Sequence, residues 1–209
     1  MATSIENDLI RKRYNQFADV YNNCLSERFA EYMFIGRLRK NLLSQVRGNV
    51  LEIGIGNGRN LSYYPEECQI TGIDISEKMI ELAQRNKHYK TVNPKILLGN
   101  AGDIPFEDNS FDYVVDCFGL CTYPHPKVVL AEMTRVCKDK GLILLLEHGI
   151  SNNSFLARLQ RWRETPHFEK LCCNPTKDIS SLVGDSQLEI IHERKYMFGI
   201  IYEYVLSKK

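Results

Sequence analysis

One short segment of the chain combines an acid with alternate glycines, a pattern that could bind a nucleotide. Residues 50–58 place Glu52 inside an apolar run and follow it with Gly54, Gly56 and Gly58. The apolar residues are typical of a strand buried on both faces, and the glycines would let the backbone approach a ligand where a Cβ would clash. A second apolar stretch ends at Asp74, whose carboxylate could accept both hydroxyls of a ribose. Together the two segments predict a nucleotide site.

The spacing of the glycines bears on which nucleotide is bound. A dinucleotide site has glycines at the first, third and sixth positions of its turn, with a helix N-terminus facing the pyrophosphate. Here the sixth position is Arg59, the third glycine stands at the fifth position, and Glu52 precedes the first glycine by two residues. A carboxylate beside the turn suits a ligand that carries an ammonium group and would repel a pyrophosphate. The segment resembles the first motif of the class I S-adenosylmethionine-dependent methyltransferases, which holds the amino-acid end of the cofactor. From this motif alone, a dinucleotide site and a turn without a ligand stay open.

Later segments resemble further motifs of this family, in the family's order. Asp74 begins a stretch similar to the second motif, in which an acid at a strand end binds ribose and a serine caps the next helix. Residues 96–106 resemble the third segment, which approaches the adenine, although Asn100 and Gly102 stand where the family often has Asp and Glu. An asparagine can still hydrogen-bond a purine edge. The resemblance covers about residues 47–149 and implies S-adenosylmethionine as the cofactor and S-adenosylhomocysteine as the product.

The N-terminal segment is similar to the opening of small-molecule methyltransferases. Those proteins often begin with Tyr-Asp-x-x-Ala-x-x-Tyr-Asp, and residues 14–22 keep both tyrosines and the alanine, with asparagine in place of each aspartate. In the family this segment lies over the cofactor as a lid, which would place Tyr14, Phe17 or Tyr21 near the ligand. The alternative is a surface helix that packs its aromatic residues into the core. Taken together, the resemblance implies these cofactor-binding residues: Tyr14, Tyr21, Glu52, Gly54, Gly56, Gly58, Asp74, Ile75, Met79, Asn100, Ala101, Gly102, Cys117 and Phe118.

Strands and helices alternate along the chain and would position these residues. Apolar runs predict strands near 48–53, 69–74, 94–98, 111–116 and 141–147, separated by helical stretches, which implies a parallel sheet. Residues 188–195 and 200–207 predict a C-terminal hairpin. We therefore expect an α/β fold with a doubly wound, mostly parallel, seven-stranded sheet and an antiparallel last strand, the Rossmann-like fold of the methyltransferases. The predicted cofactor residues would then meet at the carboxyl ends of the strands.

Length and composition fit one methyltransferase domain. The 209 residues are 44% apolar and can bury one sizeable core. We expect a helical lid over residues 1–46, a cofactor-binding core over 47–149, a substrate-side insertion over 150–184 and the hairpin over 185–209. A net charge of +1 gives no global reason to expect nucleic acid as a partner. No apolar stretch reaches the roughly 18 residues of a membrane span, and we expect a soluble, cytoplasmic protein.

The residues of the acceptor side are His148 and a cysteine-containing segment. His148 ends the fifth predicted strand, where an imidazole with a pKa near 6.5 could act as a catalytic base or could only hold the loop. Glu147-His148 and the later Cys172-Cys173 resemble a subgroup that includes thiol methyltransferase-like proteins and bacterial phospholipid N-methyltransferases. That resemblance implies a small-molecule acceptor, either a thiol, a hydroxyl, an amine or a lipid head group. A macromolecule methyltransferase and a cofactor-binding protein without transfer activity are the alternatives, and the sequence makes no prediction of oligomeric state.

The chain contains seven cysteines: Cys24, Cys68, Cys117, Cys121, Cys137, Cys172 and Cys173. Their apolar surroundings are typical of reduced core thiols. No pair has the Cys-x-x-Cys spacing of a structural zinc site, and we predict no metal site. The adjacent Cys172 and Cys173 are interpreted as packing positions.

A helical pattern around residues 155–162 has two interpretations. Phe155, Leu156 and Leu159 are at helical spacing, and Trp162 lies among arginines. Such a helix could rest on an anionic membrane surface, or it could pack its apolar side on the domain as part of a lid. Because the stretch is short and Glu164 follows it, we expect packing on the domain.

Overall fold

The computed structural model describes residues 4–23, 29–171 and 173–209. Its strands are β1 (Asn49–Ile53), β2 (Gln69–Asp74), β3 (Lys95–Leu98), β4 (Phe111–Cys117), β5 (Cys137–His148), β6 (Leu188–Tyr196) and β7 (Ile201–Lys208). Its α-helices are α1 (Ser4–Asn23), α2 (Gly36–Leu43), α3 (Glu77–Gln84), α4 (Tyr89–Val92), α5 (Pro126–Val136), α6 (Ser154–Leu171) and α7 (Ile179–Gly184). A π-helical turn, Glu31–Ile35, leads into α2, and a 3-10 turn, Arg59–Ser62, follows β1.

The strands form one seven-stranded sheet in the order β3-β2-β1-β4-β5-β7-β6. The pairs from β3 to β5 are parallel, whereas β7 lies between β5 and β6 and runs antiparallel to both. This arrangement confirms the predicted doubly wound sheet with an antiparallel last strand. The strand order reverses between β1 and β4, so ligands are expected outside the carboxyl ends of these two strands.

Alternate residues of the central strands pack into two cores, one on each face of the sheet. Leu51 and Ile53 join the face covered by α5 and α7, where Met133 and Val183 are buried. Val50 points the other way and packs against α2, in a second buried cluster that contains Leu42. Both faces are covered, which is why the strands read as continuous apolar runs rather than as an alternation.

Strand β5 begins earlier than the sequence predicted. It starts at Cys137 rather than near residue 141, because Cys137 pairs with Phe111 across an irregularity in the β4–β5 ladder. The polar run Lys138-Asp139-Lys140 hides this extension from a reading based on apolar residues.

Helix α3 starts directly beside the end of β2. Ser76 is its N-cap, and the Ser76 hydroxyl accepts a hydrogen bond from the backbone N–H of Met79 at 3.2 Å. This confirms the predicted serine cap and fixes the chain that follows Asp74. Within the described residues, none of the helices has the length and apolar character needed to cross a membrane.

Candidate active site

A cavity of about 120 Å³ lies at the carboxyl ends of β1, β2 and β4, next to the glycine turn. Gly54, Gly56 and Gly58 have φ angles of +62°, +57° and +74°, a region that residues with a Cβ rarely adopt. At Gly54 a Cβ would also lie 2.9 Å from the hydroxyl oxygen of Tyr123. The turn therefore keeps its backbone open to the cavity, as the sequence pattern predicts. Gly54 and Gly56 line the cavity; Gly58 does not, and it lies against Leu61 and Ala83.

Asp74 lies at the end of β2 and forms part of the cavity wall. Its two carboxylate oxygens accept the backbone N–H groups of Gly56 at 2.8 Å and Ser76 at 2.9 Å. Burial raises the pKa of Asp74 to about 6, although the two backbone donors act in the opposite direction. Each carboxylate oxygen keeps a further lone pair for a ligand.

The remaining wall of this cavity is mostly apolar or uncharged. Among the described residues that line it there is no lysine or arginine, and Asp74 is the acid. This wall suits a nucleoside that carries a positive charge better than it suits a pyrophosphate, which needs positive or N–H-rich surroundings. Nine further residues of the predicted cofactor set also line it, namely Ile75, Met79, Asn100, Ala101, Gly102, Cys117, Phe118 and, from α1, Tyr14 and Tyr21.

Helix α1 is hydrogen-bonded to the sheet side of this cavity. The Asn15 amide donates to the Glu77 carboxylate at 2.8 Å and accepts from the Ser76 hydroxyl at 2.7 Å. Farther along α1, Asn22 accepts a hydrogen bond from the Asn57 side chain at 2.9 Å. The two asparagines that stand in place of the family's aspartates therefore tie α1 to the loops after β2 and β1. Residues of α1 line the cavity, among them Asn7, Ile10 and Tyr14, and the role of α1 as a lid stays a prediction.

Glu52 does not line either cavity described here. It is 2% exposed, and its carboxylate accepts hydrogen bonds from Asn60 at 2.9 Å and Tyr64 at 2.8 Å. Arg39 in turn donates to Asn60 at 2.6 Å. Burial raises the pKa of Glu52 to about 7. Direct contact between Glu52 and a cofactor thus stays a prediction, and the contacts of Glu52 in the structure are those that hold the chain after the glycine turn.

A second cavity of about 400 Å³ adjoins the first. The two share Tyr14, Tyr21, Phe118 and Thr122 in their walls. His148, at the end of β5, lines the second cavity, and its ring stacks on Phe118 with 5.9 Å between ring centroids. The predicted catalytic residue is therefore separated from the first cavity by one aromatic ring. Phe17 lines the second cavity too.

Two cysteines lie beside His148, and sequence analysis did not connect them with it. Cys173 Sγ lies 2.9 Å from His148 Nε2 and 3.4 Å from Cys121 Sγ. The five described cysteines are free thiols, and Cys24 and Cys172 lie outside the described residues. Cys121 follows β4 and Cys173 precedes α7, so no spacing along the chain could have shown that they meet. Sequence analysis also missed Arg39 and Asn60, which surround Glu52.

Helix α6 does not pack as expected. Phe155, Leu159 and Trp162 are 75%, 44% and 78% exposed, whereas Ala157 is buried and Leu156 is half-buried. The predicted packing on the domain is therefore wrong for Phe155 and Leu159. The same helix exposes Arg158, Arg161 and Arg163.

The comparisons with known proteins agree with this architecture. A seven-stranded sheet of this order is the Rossmann-like fold that the sequence predicts. A S-adenosylmethionine-dependent methyltransferase structure from Thermotoga maritima, described as a possible histamine N-methyltransferase, superposes with a TM-score of 0.72; it is 22% identical, and the match covers 96% of this chain and 100% of that one.

Sequence relatives indicate the family. The family described as "Methyltransferase domain" matches residues 51–145. Methyltransferase OMS1, mitochondrial, of Saccharomyces cerevisiae is 27% identical over 94% of this chain and 45% of its own length, so this chain spans less than half of that relative. Phosphatidylethanolamine N-methyltransferase of Cereibacter sphaeroides is 28% identical over 76% of this chain and 78% of its own length. These matches support the family that the motifs predict, the class I S-adenosylmethionine-dependent methyltransferases.

Proposed function

We propose that the first cavity binds S-adenosylmethionine and that the second holds a small-molecule acceptor of its methyl group. The observation that carries this proposal is the pair of adjoining cavities, which share Phe118 and Thr122 as a dividing wall. When bound, S-adenosylmethionine supplies an electrophilic methyl group on a sulfonium. The protein's own contribution is then to hold donor and acceptor close together and shielded from water.

The proposal gives a role to each predicted cofactor residue that lines the first cavity. The Asp74 carboxylate accepts the ribose hydroxyls. The backbone of Gly54 and Gly56 leaves room for the amino-acid end, while Glu52 and Gly58 shape the turn from outside the cavity. Around the adenine we place Ile75, Met79, Asn100, Ala101 and Gly102, with Tyr14, Tyr21, Cys117 and Phe118 closing the site.

His148 is the proposed catalytic residue on the acceptor side. It lines the second cavity, where its imidazole can take a proton from a hydroxyl or amine as the nucleophile attacks. The phosphatidylethanolamine methyltransferase among the relatives supports a small or lipophilic acceptor. A cytoplasmic location stays a prediction, and one relative is named as mitochondrial.

Calorimetry tests the cofactor site before any acceptor is known. We expect S-adenosylhomocysteine to bind with micromolar affinity and NAD to give no heat, because the described residues that line the cavity include no lysine or arginine for a pyrophosphate. The Asp74→Ala variant should lose S-adenosylhomocysteine affinity while its circular dichroism spectrum is unchanged. Preferential binding of NAD would indicate a dinucleotide site. No binding of either ligand would indicate a glycine turn without a ligand.

The acceptor is then sought with a methyl-labelled donor. Thiols, phenols, amines and phospholipids form the first panel, with total tRNA and a protein extract as macromolecular comparators. Label transfer to a small molecule supports the proposal. Transfer to tRNA or protein alone would show a macromolecule methyltransferase, and cofactor binding with no transfer to any substrate class would favour a binding protein.

A further inference from the structure

Three side chains with metal-binding atoms meet at the second cavity. Cys121, His148 and Cys173 each offer one such atom, and the three atoms lie within 4.8 Å of one another. They come from the loop after β4, the end of β5 and the segment before α7. Two thiolates and one imidazole are a ligand set that zinc prefers over harder cations.

We infer that Cys121, His148 and Cys173 bind a zinc ion through three protein ligands and leave a fourth position open to the second cavity. All three residues line that cavity. Cys121 is 2% exposed and Cys173 is 7% exposed, so the sulfur atoms lie at the floor of the cavity rather than on the outer surface. Three protein ligands with an open position are the arrangement of catalytic zinc sites, whereas structural sites are closed by a fourth residue.

The distances are close to those of a tetrahedral site. Zinc–sulfur and zinc–nitrogen bonds of about 2.3 and 2.0–2.1 Å place two sulfurs roughly 3.8 Å apart and a sulfur and a nitrogen roughly 3.6 Å apart. The Cys121–Cys173 separation is 3.4 Å and the Cys173–His148 separation is 2.9 Å. The third pair, Cys121 and His148, lies within 4.8 Å. Side-chain rotations that change these separations by about 1 Å would bring the three atoms to zinc-binding distances.

Hydrogen bonds hold the three segments together without any contribution from the ligand atoms. The backbone N–H of Asn174 donates to the Cys121 carbonyl at 3.0 Å. The Lys177 ammonium donates to the carbonyls of Leu120 and Tyr123 at 3.0 and 2.8 Å. The backbone N–H of Ile150 donates to the Lys177 carbonyl at 3.1 Å. The site is therefore preorganised at the level of the backbone, as a metal site built from distant segments requires.

The open position indicates the class of acceptor, an inference that rests on the proposed function. A thiol that enters the fourth position is deprotonated by coordination, its proton passes to solvent, and it becomes the nucleophilic thiolate. In that state His148 is a ligand, and proton removal does not require its imidazole. The cluster thus favours a small-molecule thiol over the other acceptors.

Metal content measures the site directly. The reduced protein, without a histidine tag, is incubated with zinc, dialysed and analysed by mass spectrometry of the elements; we expect about one ion per chain. Cys173→Ser and Cys121→Ser should each lower zinc affinity by more than about 100-fold. Loss of a residue that only hydrogen-bonds to a metal ligand already costs roughly 10- to 100-fold, and these variants remove a ligand itself. The control is Cys68→Ser, since Cys68 is also buried and donates to the Val46 carbonyl, a bond that a serine can keep.

Cobalt substitution reports the geometry and the open position. The Co²⁺ form should show the visible and sulfur charge-transfer bands of a tetrahedral thiolate site, and these should shift on adding 2-mercaptoethanol but not on adding ethanol. Zinc content equal in the wild type and in both cluster variants would overturn the inference. A folded, fully reduced protein that takes up no metal would also overturn it. This holds equally for a protein in which a Cys121–Cys173 disulfide is first found and then reduced.

The metal measurements and the cofactor measurements are independent. Zinc binding needs no S-adenosylmethionine, and Cys173→Ser should still bind S-adenosylhomocysteine in the calorimeter. A wild type that takes up no zinc but binds S-adenosylhomocysteine therefore refutes the metal site alone, whereas a wild type that binds zinc but not S-adenosylhomocysteine refutes the proposed donor site alone.

Discussion

The titration of Asp74 makes the proposed cofactor site dependent on pH. Its carboxylate accepts two backbone N–H groups and faces the first cavity, and burial raises its pKa from 3.8 to about 6. The ionised form can accept both ribose hydroxyls; a proton on either oxygen turns one acceptor into a donor. Affinity for S-adenosylhomocysteine should therefore fall as the pH drops through about 6.

The size of the effect follows from the ionised fraction. With a pKa of about 6, roughly 97% of Asp74 is ionised at pH 7.5 and roughly 9% at pH 5, so affinity should fall about tenfold over this range. Asp74→Asn keeps the shape but has one acceptor oxygen and no charge. Loss of one charge-assisted hydrogen bond costs about 1.5–3 kcal/mol, so the variant should bind at least about tenfold more weakly at pH 7.5.

Calorimetric titrations from pH 5 to 8 at constant ionic strength provide the measurement. Other titratable groups are near, including Glu52, Asp116 and the His125–Glu6 pair, and the Asn variant keeps all of them. The pH dependence of affinity should disappear in that variant. If affinity changes with pH equally in both proteins, the titrating group is not Asp74. If the affinity of the wild type does not change with pH, ionisation of Asp74 is not needed for binding.

The free protein should respond to pH with the opposite sign. Since the folded pKa of Asp74 exceeds its ordinary value of 3.8, its contribution to stability is present below 3.8 and is lost as the pH rises through about 6. The stabilisation that S-adenosylhomocysteine adds in thermal melts should therefore increase from pH 5 to pH 7.

Three further predictions concern the lid, the sheet and α6. Asn15→Asp removes the donor to Glu77 and places two carboxylates close together, so amide hydrogen exchange in α1 should be faster than in Asn15→Ala. Equal exchange in the two variants would show that the contact between Asn15 and Glu77 does not hold α1 in place. Burial raises the pKa of Asp116 well above its ordinary 3.8, so its stabilising contribution is lost as the pH rises toward the folded value. Asp116→Asn should therefore reduce the fall of the urea midpoint with rising pH. In flotation with anionic vesicles, the exposed Trp162 and the neighbouring arginines should carry the protein upward. Trp162→Ser should weaken this flotation, and the control Leu98→Ser, at another exposed apolar residue, should not. A wild type that does not float refutes the contact.

Local patterns made much of the fold and of the first cavity predictable. Most strand limits, the serine cap at Ser76 and the acid at Asp74 depend on residues that are neighbours in sequence; the start of β5 is the exception, because a polar run hides it. The glycine turn depends on the backbone freedom of three glycines, and their placement at every second position is visible in the sequence. In a parallel sheet the carboxyl ends of such strands must meet, so the site location follows from the strand assignments.

Contacts between distant segments were not predictable in this way. Glu52 matches the family motif, yet its environment is set by Asn60, Tyr64 and, through Asn60, by Arg39 from α2. The exposure of Phe155 and Leu159 depends on which segments pack against α6, and the helix's own periodicity does not specify them. Cys121 and Cys173 meet because the loop after β4 and the segment before α7 are hydrogen-bonded to each other.

Phe118 shows why the two cavities belong to one site. Its φ angle is +65°, a conformation that costs a bulky residue on the order of 1–3 kcal/mol. Its backbone N–H donates to the Leu146 carbonyl at 2.8 Å, and its ring stacks on His148 and lies 5.1 Å from the Arg39 guanidinium. A glycine would relieve the strain at this position but would remove the ring that separates the cavities. The strain is thus explained by the ring's place between the proposed donor and acceptor, where backbone distortion at functional sites is concentrated.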